Sequence, residues 1–207
     1  IDGQWVRSAG TERIEVTDPA TGKVWGSVPA GNTRDVERAV GAAHAAFHGE
    51  QWRSYSPSDR AALLLRIAEE VEARSTELSL TNTLENGSPV SETGGAAANA
   101  AGIFRYFASL APMLENEDLR PFPNGAGESL VRRDPVGVCA LIAPWNFPIN
   151  LMVIKLAPAL LAGCTVVMKP ASPTPLSFRI IMDAMAAAGV PAGVANLVTG
   201  PGRMGDE

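Results

Sequence analysis

The sequence predicts an α/β fold: a doubly wound parallel sheet with a protruding β-hairpin. Three observations carry that expectation. After Val136, short apolar runs (residues 136–143, 165–169 and 194–198) alternate with helical patterns over 149–161 and 176–188. Strands that alternate with helices pair in parallel through right-handed crossovers. Earlier, from Thr33, apolar residues recur at the helical period rather than the strand period. Between these stretches, Asn124-Gly125 is a strong two-residue hairpin signal.

Taken in order, residues 1–29 alternate short apolar pairs with turn signals. Trp5-Val6, 14–16 and 24–28 read as short strands, the last two joined at Asp18-Pro19 and Gly22. A helix follows with Asn32 or Thr33 as N-cap and Val36, Ala39, Val40, Ala43 and Phe47 on its apolar face. A second starts at Ser56-Pro57-Ser58, since proline suits a first helical turn; Ala61, Leu64, Leu65, Ile67, Ala68 and Val71 form its apolar face. A third, 76–84, stops at Asn86-Gly87, and a fourth spans 90–114. Residues 117–135 read as a two-stranded hairpin standing off the body. An isolated hairpin is marginal in water, so this one is expected to pair with another subunit. Segment 136–143 is expected to be a buried strand. The organisation is therefore one α/β unit, 1–116 with 136–207, interrupted by a hairpin expected to serve oligomerisation.

The bulk numbers exclude some partners. A net charge of -5 argues against a non-specific nucleic-acid surface. The longest apolar stretch, 149–167, is broken by Asn150, Lys155, Pro158 and Gly163, so no membrane partner is expected. Cys139 and Cys164 lack metal-ligand spacing and read as small core residues; no metal site is expected, and such cysteine usage fits a cytoplasmic compartment.

The chemistry concentrates in Pro144-Trp145-Asn146-Phe147-Pro148, between a strand and a helix. An asparagine held between prolines has a fixed backbone and an amide with two donor hydrogens. Donors fixed where negative charge develops stabilise a reacting oxygen. The competing reading is a helix-capping residue. Lys169 ends the second parallel strand, where open α/β sheets bind ligands, although a solvated lysine reads equally well there. Gly200, Gly202 and Gly205 form a weak glycine fingerprint after the third strand. Phe147, Leu151 and Ile154, at i, i+4 and i+7, share one helix face, which by itself reads as core packing.

Several ordered motifs resemble the N-terminal part of the aldehyde dehydrogenase superfamily. They are Asp18-Pro-Ala-Thr-Gly22, Trp52, the helix from Arg60, Leu84-Glu-Asn-Gly87, Pro135-Val-Gly-Val138, Pro144-Trp-Asn-Phe-Pro148, Ala162-Gly163, Val166-Val-Met-Lys-Pro170 and Thr174-Pro-Leu176. The resemblance implies a variant Rossmann-like domain that binds NAD or NADP and serves oxidation of a small-molecule aldehyde to an acid. In such enzymes a cysteine thiolate attacks the aldehyde, hydride leaves to the nicotinamide, and a glutamate activates the water that releases the product. The asparagine matching Asn146 donates to the thiohemiacetal oxyanion. Ile142, Ala143, Pro144, Trp145, Lys169, Ser172 and Gly202 fall at cofactor-binding positions, with Lys169 toward the adenosine ribose. Ser172 stands where many NAD-preferring relatives carry a glutamate, which predicts tolerance of NADP. Phe147, Leu151 and Ile154 match the substrate tunnel and favour an uncharged aliphatic or aromatic aldehyde. The intact enzyme is expected to be a homodimer or homotetramer. Neither cysteine falls at the family's nucleophile position, so the catalytic domain, with nucleophile and base, is expected to be absent from this chain, which alone should be inactive. The competing reading is a non-catalytic cofactor-binding or assembly module.

Overall fold

In a computed structural model, residues 1–115 and 118–206 are described, without the side chains of Glu115 and Asp206. Strands β1 (Arg13–Asp18) and β2 (Lys23–Pro29) form an antiparallel pair. Their turn follows the expected chemistry: the Asp18 carboxylate accepts from the Ala20 amide at 2.9 Å and the Thr21 hydroxyl at 2.8 Å, and Gly22 takes a φ of 68°. Trp5-Val6 forms no strand, contrary to expectation. Among the described residues no neighbouring strand offers its backbone a ladder, and the Trp5 indole instead donates to Asp183 at 3.1 Å.

Asn32 is the N-cap of α1 (Thr33–His48): its side chain accepts from the Arg34 and Asp35 amides, and Asp35 accepts in return from the Asn32 amide. After α2 (Glu50–Arg53), the same reciprocal box between Ser56 and Asp59 opens α3 (Pro57–Ala73). Two expected core positions point outward. Leu65 is 44% exposed and Val40 41%, while Leu63, which the pattern missed, is fully enclosed on the face of Leu64, Ile67 and Val71. Helix α4 (Ser75–Asn86) stops at Gly87, whose φ of 84° is left-handed.

The expected single helix over 90–114 is three: α5 (Val90–Thr93), α6 (Ala96–Ala108) and α7 (Pro112–Glu115). Each glycine of Gly94-Gly95 costs a helix interior about 1 kcal/mol, and Pro112 has no amide to continue the hydrogen-bond ladder. Strands β3 (Asp118–Pro121) and β4 (Glu128–Val131) make the expected hairpin, a two-stranded sheet of its own with Leu119 opposite Leu130. Its loop runs over 122–127 rather than two residues. A two-residue turn at Asn124-Gly125 needs an amide at Pro123, which proline lacks; the Phe122 amide closes the loop on the Gly127 carbonyl at 2.8 Å instead. The domain boundary expected at 116 lies outside the described residues.

The C-terminal half carries a parallel sheet ordered β5 (Val138–Ile142), β6 (Thr165–Lys169), β7 (Ala195–Leu197), linked through α8 (Pro148–Ala162) and α9 (Ser177–Ala187). Strand alternation divides the core. Val166 and Met168 pack with α8 and α9, while Val167 packs with Ala39 and Ala43 of α1 on the opposite face. Helices therefore cover both faces, as a doubly wound sheet requires, and α3, α4 and α6 form a further layer behind α8 and α9. The expected buried strand over 136–143 is instead an edge strand: Val136 is 88% exposed, and Ala140 and Ile142 are exposed. An apolar run reads alike in a central and an edge strand, because only pairing decides which it is.

Helix α8 is pinned at its C-terminus by two earlier side chains. The Arg60 guanidinium donates to the Leu161 carbonyl at 2.7 Å and the buried Trp52 indole to the Gly163 carbonyl at 2.9 Å. These are carbonyls that a helix end leaves without intrahelical donors. Burial of Ile149, Met152, Val153, Leu156 and Leu160 contributes about 1.5–3 kcal/mol each. The turn before α8 therefore sits on a rigid element. A 3-10 turn, Gly202–Asp206, follows β7. Among the described residues, no helix is long and apolar enough to cross a membrane.

Candidate active site

The segment Pro144–Phe147 links the end of β5 to the start of α8. Phe147, not Asn146, is the N-cap of α8, and it makes no side-chain cap bond. The capping alternative for Asn146 therefore fails. Its side chain is exposed and has no hydrogen-bond partner among the described residues. The backbone around it is held. The Asn86 amide, at the end of α4, donates to the Trp145 carbonyl at 2.7 Å and approaches the Asn146 carbonyl at 3.4 Å. Lys155, two turns into α8, donates to the Ile142 carbonyl at 2.5 Å, and the Ala143 amide reaches the Lys169 carbonyl at 3.3 Å. Asn86 and Lys155 were missed by the sequence reading. Leu84-Glu-Asn-Gly87 was visible as a motif, but nothing local says which strand end its amide reaches.

Ile142 pairs in register with Lys169, so both lie at the sheet's C-terminal edge. The Lys169 ammonium approaches only the Pro170 carbonyl, at 3.4 Å, and no carboxylate pairs with it among the described residues. Burial alone pulls its pKa below the ordinary lysine value. Ser172 bridges the loops after β6 and β7, its hydroxyl donating to the Gly200 carbonyl at 3.0 Å. At Gly202 nothing lies within 4 Å of where a Cβ would stand, so the backbone is open to a ligand. Pro144 and Trp145 are exposed, as are Phe147 and Ile154; Leu151, between them, packs partly against the core. The edge is thus one cationic donor, one hydroxyl and open glycine backbone. These groups suit the ribose and phosphate of a dinucleotide.

Below the Asn146 turn, a cleft of about 140 Å³ lies between α4, α5, α6 and the start of α8. Its polar lining is Asn82, Asn86, Ser88, Glu92, Thr93, Asn99, Asn146 and Asn150. Among the described residues there is no cluster of three metal-ligating side chains. Burial, reinforced by the neighbouring Cys164, pushes the Cys139 thiol up to about 11. A thiol held above its ordinary value carries less of the thiolate that attacks, which argues against a nucleophilic role.

Fold and site together define a doubly wound α/β unit, with its candidate ligand groups at the C-terminal edge of a parallel sheet and an amide-bearing turn after its first strand. The comparisons narrow this. Residues 5–207 match the model of the aldehyde dehydrogenase family. The chain belongs to that family. It is 42% identical to geranial dehydrogenase of Castellaniella defragrans over 99% of this chain and 43% of that protein. With betaine aldehyde dehydrogenase of Bacillus subtilis it shares 38% over 100% of this chain and 42% of the relative. The crystal structure of Staphylococcus aureus betaine aldehyde dehydrogenase in complex with NAD+ superposes with a TM-score of 0.93 at 33% identity, covering 98% of this chain and 40% of that one. The chain spans about two fifths of the length of the relatives it matches.

Proposed function

We propose that this chain is the cofactor-binding and oxyanion-holding portion of an NAD(P)-dependent aldehyde dehydrogenase. The observation that carries the reading is the Asn146 amide: exposed, without a partner, and mounted on a turn whose carbonyls are gripped by Asn86 and whose helix is anchored by Arg60 and Trp52. A donor that spends no bond in the resting state is available to a charge that develops later. In this reading a thiolate from the segment that the relatives have beyond the matched region attacks the aldehyde carbon, and Asn146 stabilises the resulting oxyanion. The bound nicotinamide takes up the hydrogen and electron pair from that carbon. Lys169 and Ser172 hold the adenosine ribose, and Ile142, Ala143, Pro144, Trp145 and Gly202 form the surface on which the dinucleotide lies. Phe147, Leu151 and Ile154 wall the aldehyde tunnel. The NAD+ complex of the Staphylococcus relative supports the cofactor class.

The hairpin over 117–135 serves assembly into a dimer or tetramer. Leu119 and Leu130 face each other across it and are 55% and 50% exposed, an apolar pair that a second subunit would cover.

Asn146→Ala in the full-length enzyme tests the central reading. With NAD and an aldehyde, kcat should fall about 10²–10³-fold with KM changed only a few-fold. A variant that retains wild-type kcat refutes the oxyanion role.

A further inference from the structure

A cavity of about 710 Å³ opens at the base of the hairpin, against the C-terminal end of α8. Gly163 in its wall precedes β6, whereas Lys169 ends that strand, so the cavity and the candidate cofactor groups lie at opposite edges of the sheet. Four arginines line it, Arg53, Arg60, Arg132 and Arg133, with His48 and one carboxylate, Asp134. The chain as a whole carries a net charge of -5, so the cavity is a local reversal of sign. Asp134 is already paired with Arg132 at 2.8 Å, and Asp118, close to Arg133, is bonded to Arg120. Arg53 and Arg133 are exposed and make no side-chain hydrogen bond or ion pair among the described residues. Half-buried Arg60 spends two of its five N–H donors on the Leu161 and Tyr55 carbonyls, and among the described residues no carboxylate is bonded to it. Guanidinium forks with open donors are built to hold the oxygens of a phosphate or carboxylate.

We propose that this cavity binds a compact polyanion of the diphosphate type, held between Arg53 and Arg60 on the body and Arg133 at the foot of the hairpin. A small monovalent anion meets one or two of these guanidiniums; a diphosphate carries enough oxygens and charge to engage all three. Arg53 ends α2, Arg60 lies in α3, and Arg133 is on the chain leaving β4. A bound anion therefore ties the hairpin to the body. The site is distinct from the cofactor edge and does not depend on the dehydrogenase reading.

The probe is inorganic pyrophosphate, titrated calorimetrically into the full-length protein at low ionic strength. Saturating NAD is present throughout, so that a dinucleotide site elsewhere is closed to it. One pyrophosphate per chain should bind, more weakly as salt is added, and it should raise the melting temperature. Arg53→Glu and Arg133→Glu should each lower the affinity by about tenfold or more, since a charge-assisted bond is lost and a repulsion takes its place. Both side chains are exposed, so each variant should melt close to the wild type without ligand. The two are read separately, and a folding failure in one leaves the other decisive. Absence of binding at millimolar pyrophosphate overturns the proposal. So does an unchanged affinity in either variant that melts as the wild type does, because the anion then sits elsewhere.

Discussion

Glu85 is a buried carboxylate whose ionisation should loosen one joint of the fold. It sits in the last turn of α4, is 4% exposed, and accepts from the first amides of α9, Leu176 at 2.6 Å and Ser177 at 3.1 Å. Burial pushes its pKa up from 4.5 to about 7, opposed by the Ser177 side chain and then by those two amides. A raised pKa means that the closed form holds a proton which the open form releases. The stabilisation is therefore full below pH 4.5 and is lost as pH rises through about 7. The gap corresponds to about 3 kcal/mol. About 2 kcal/mol of it falls between pH 5.5 and 8.5, roughly a thirtyfold change in the opening equilibrium. Amide hydrogen exchange at the start of α9, corrected for intrinsic rates, reads that equilibrium locally in the full-length enzyme. Protection of Leu176 and Ser177 should fall about thirtyfold over that range. Glu85→Gln should abolish the slope and hold protection near its pH 5.5 level throughout, because the neutral amide resembles the protonated acid. Protection that rises with pH, or a slope unchanged in Glu85→Gln, refutes the reasoning.

Ser172→Glu should cut kcat/KM for NADP by about tenfold or more and leave NAD within a few-fold, since a carboxylate there repels a 2′-phosphate; steady-state kinetics with both cofactors decide, and equal losses count against a ribose-side position. Gly87→Ala should destabilise by about 1–3 kcal/mol. The left-handed φ disfavours any side chain, and the new Cβ would stand 2.7 Å from Pro19 Cγ. Gly102→Ala, in mid α6 with nothing within 4 Å of its Cβ position, should instead stabilise by about 0.5–1 kcal/mol, so the two melting shifts must have opposite signs. Leu119→Lys with Leu130→Lys should reduce the oligomer mass measured by light scattering, because two buried charges would face the partner surface; an unchanged mass removes the hairpin from assembly.

Much of the fold was legible because its signals are local. The helix starts at Asn32 and Ser56, the stop at Gly87 and the alternation of strands with helices after Val136 are read from a few neighbouring residues each. The errors share one cause. Residues 136–143 read as a buried strand because an apolar run says nothing about how many neighbours it has, and β5 turned out to have one. The long helix over 90–114 was over-extended because its apolar pattern continues through glycines and a proline that local propensity breaks.

The sequence by itself determined the family, the α/β class and the turn that carries Asn146, since a fixed amide between prolines is a property of five consecutive residues. Only the tertiary structure decided what that turn rests on. Asn86 lies 59 residues before Trp145, whose carbonyl it grips, and Arg60 lies 101 before Leu161, at the far end of the helix that follows the turn. Hydrogen-bond satisfaction is a sum over neighbours in space, and a chain read in one dimension does not contain that sum.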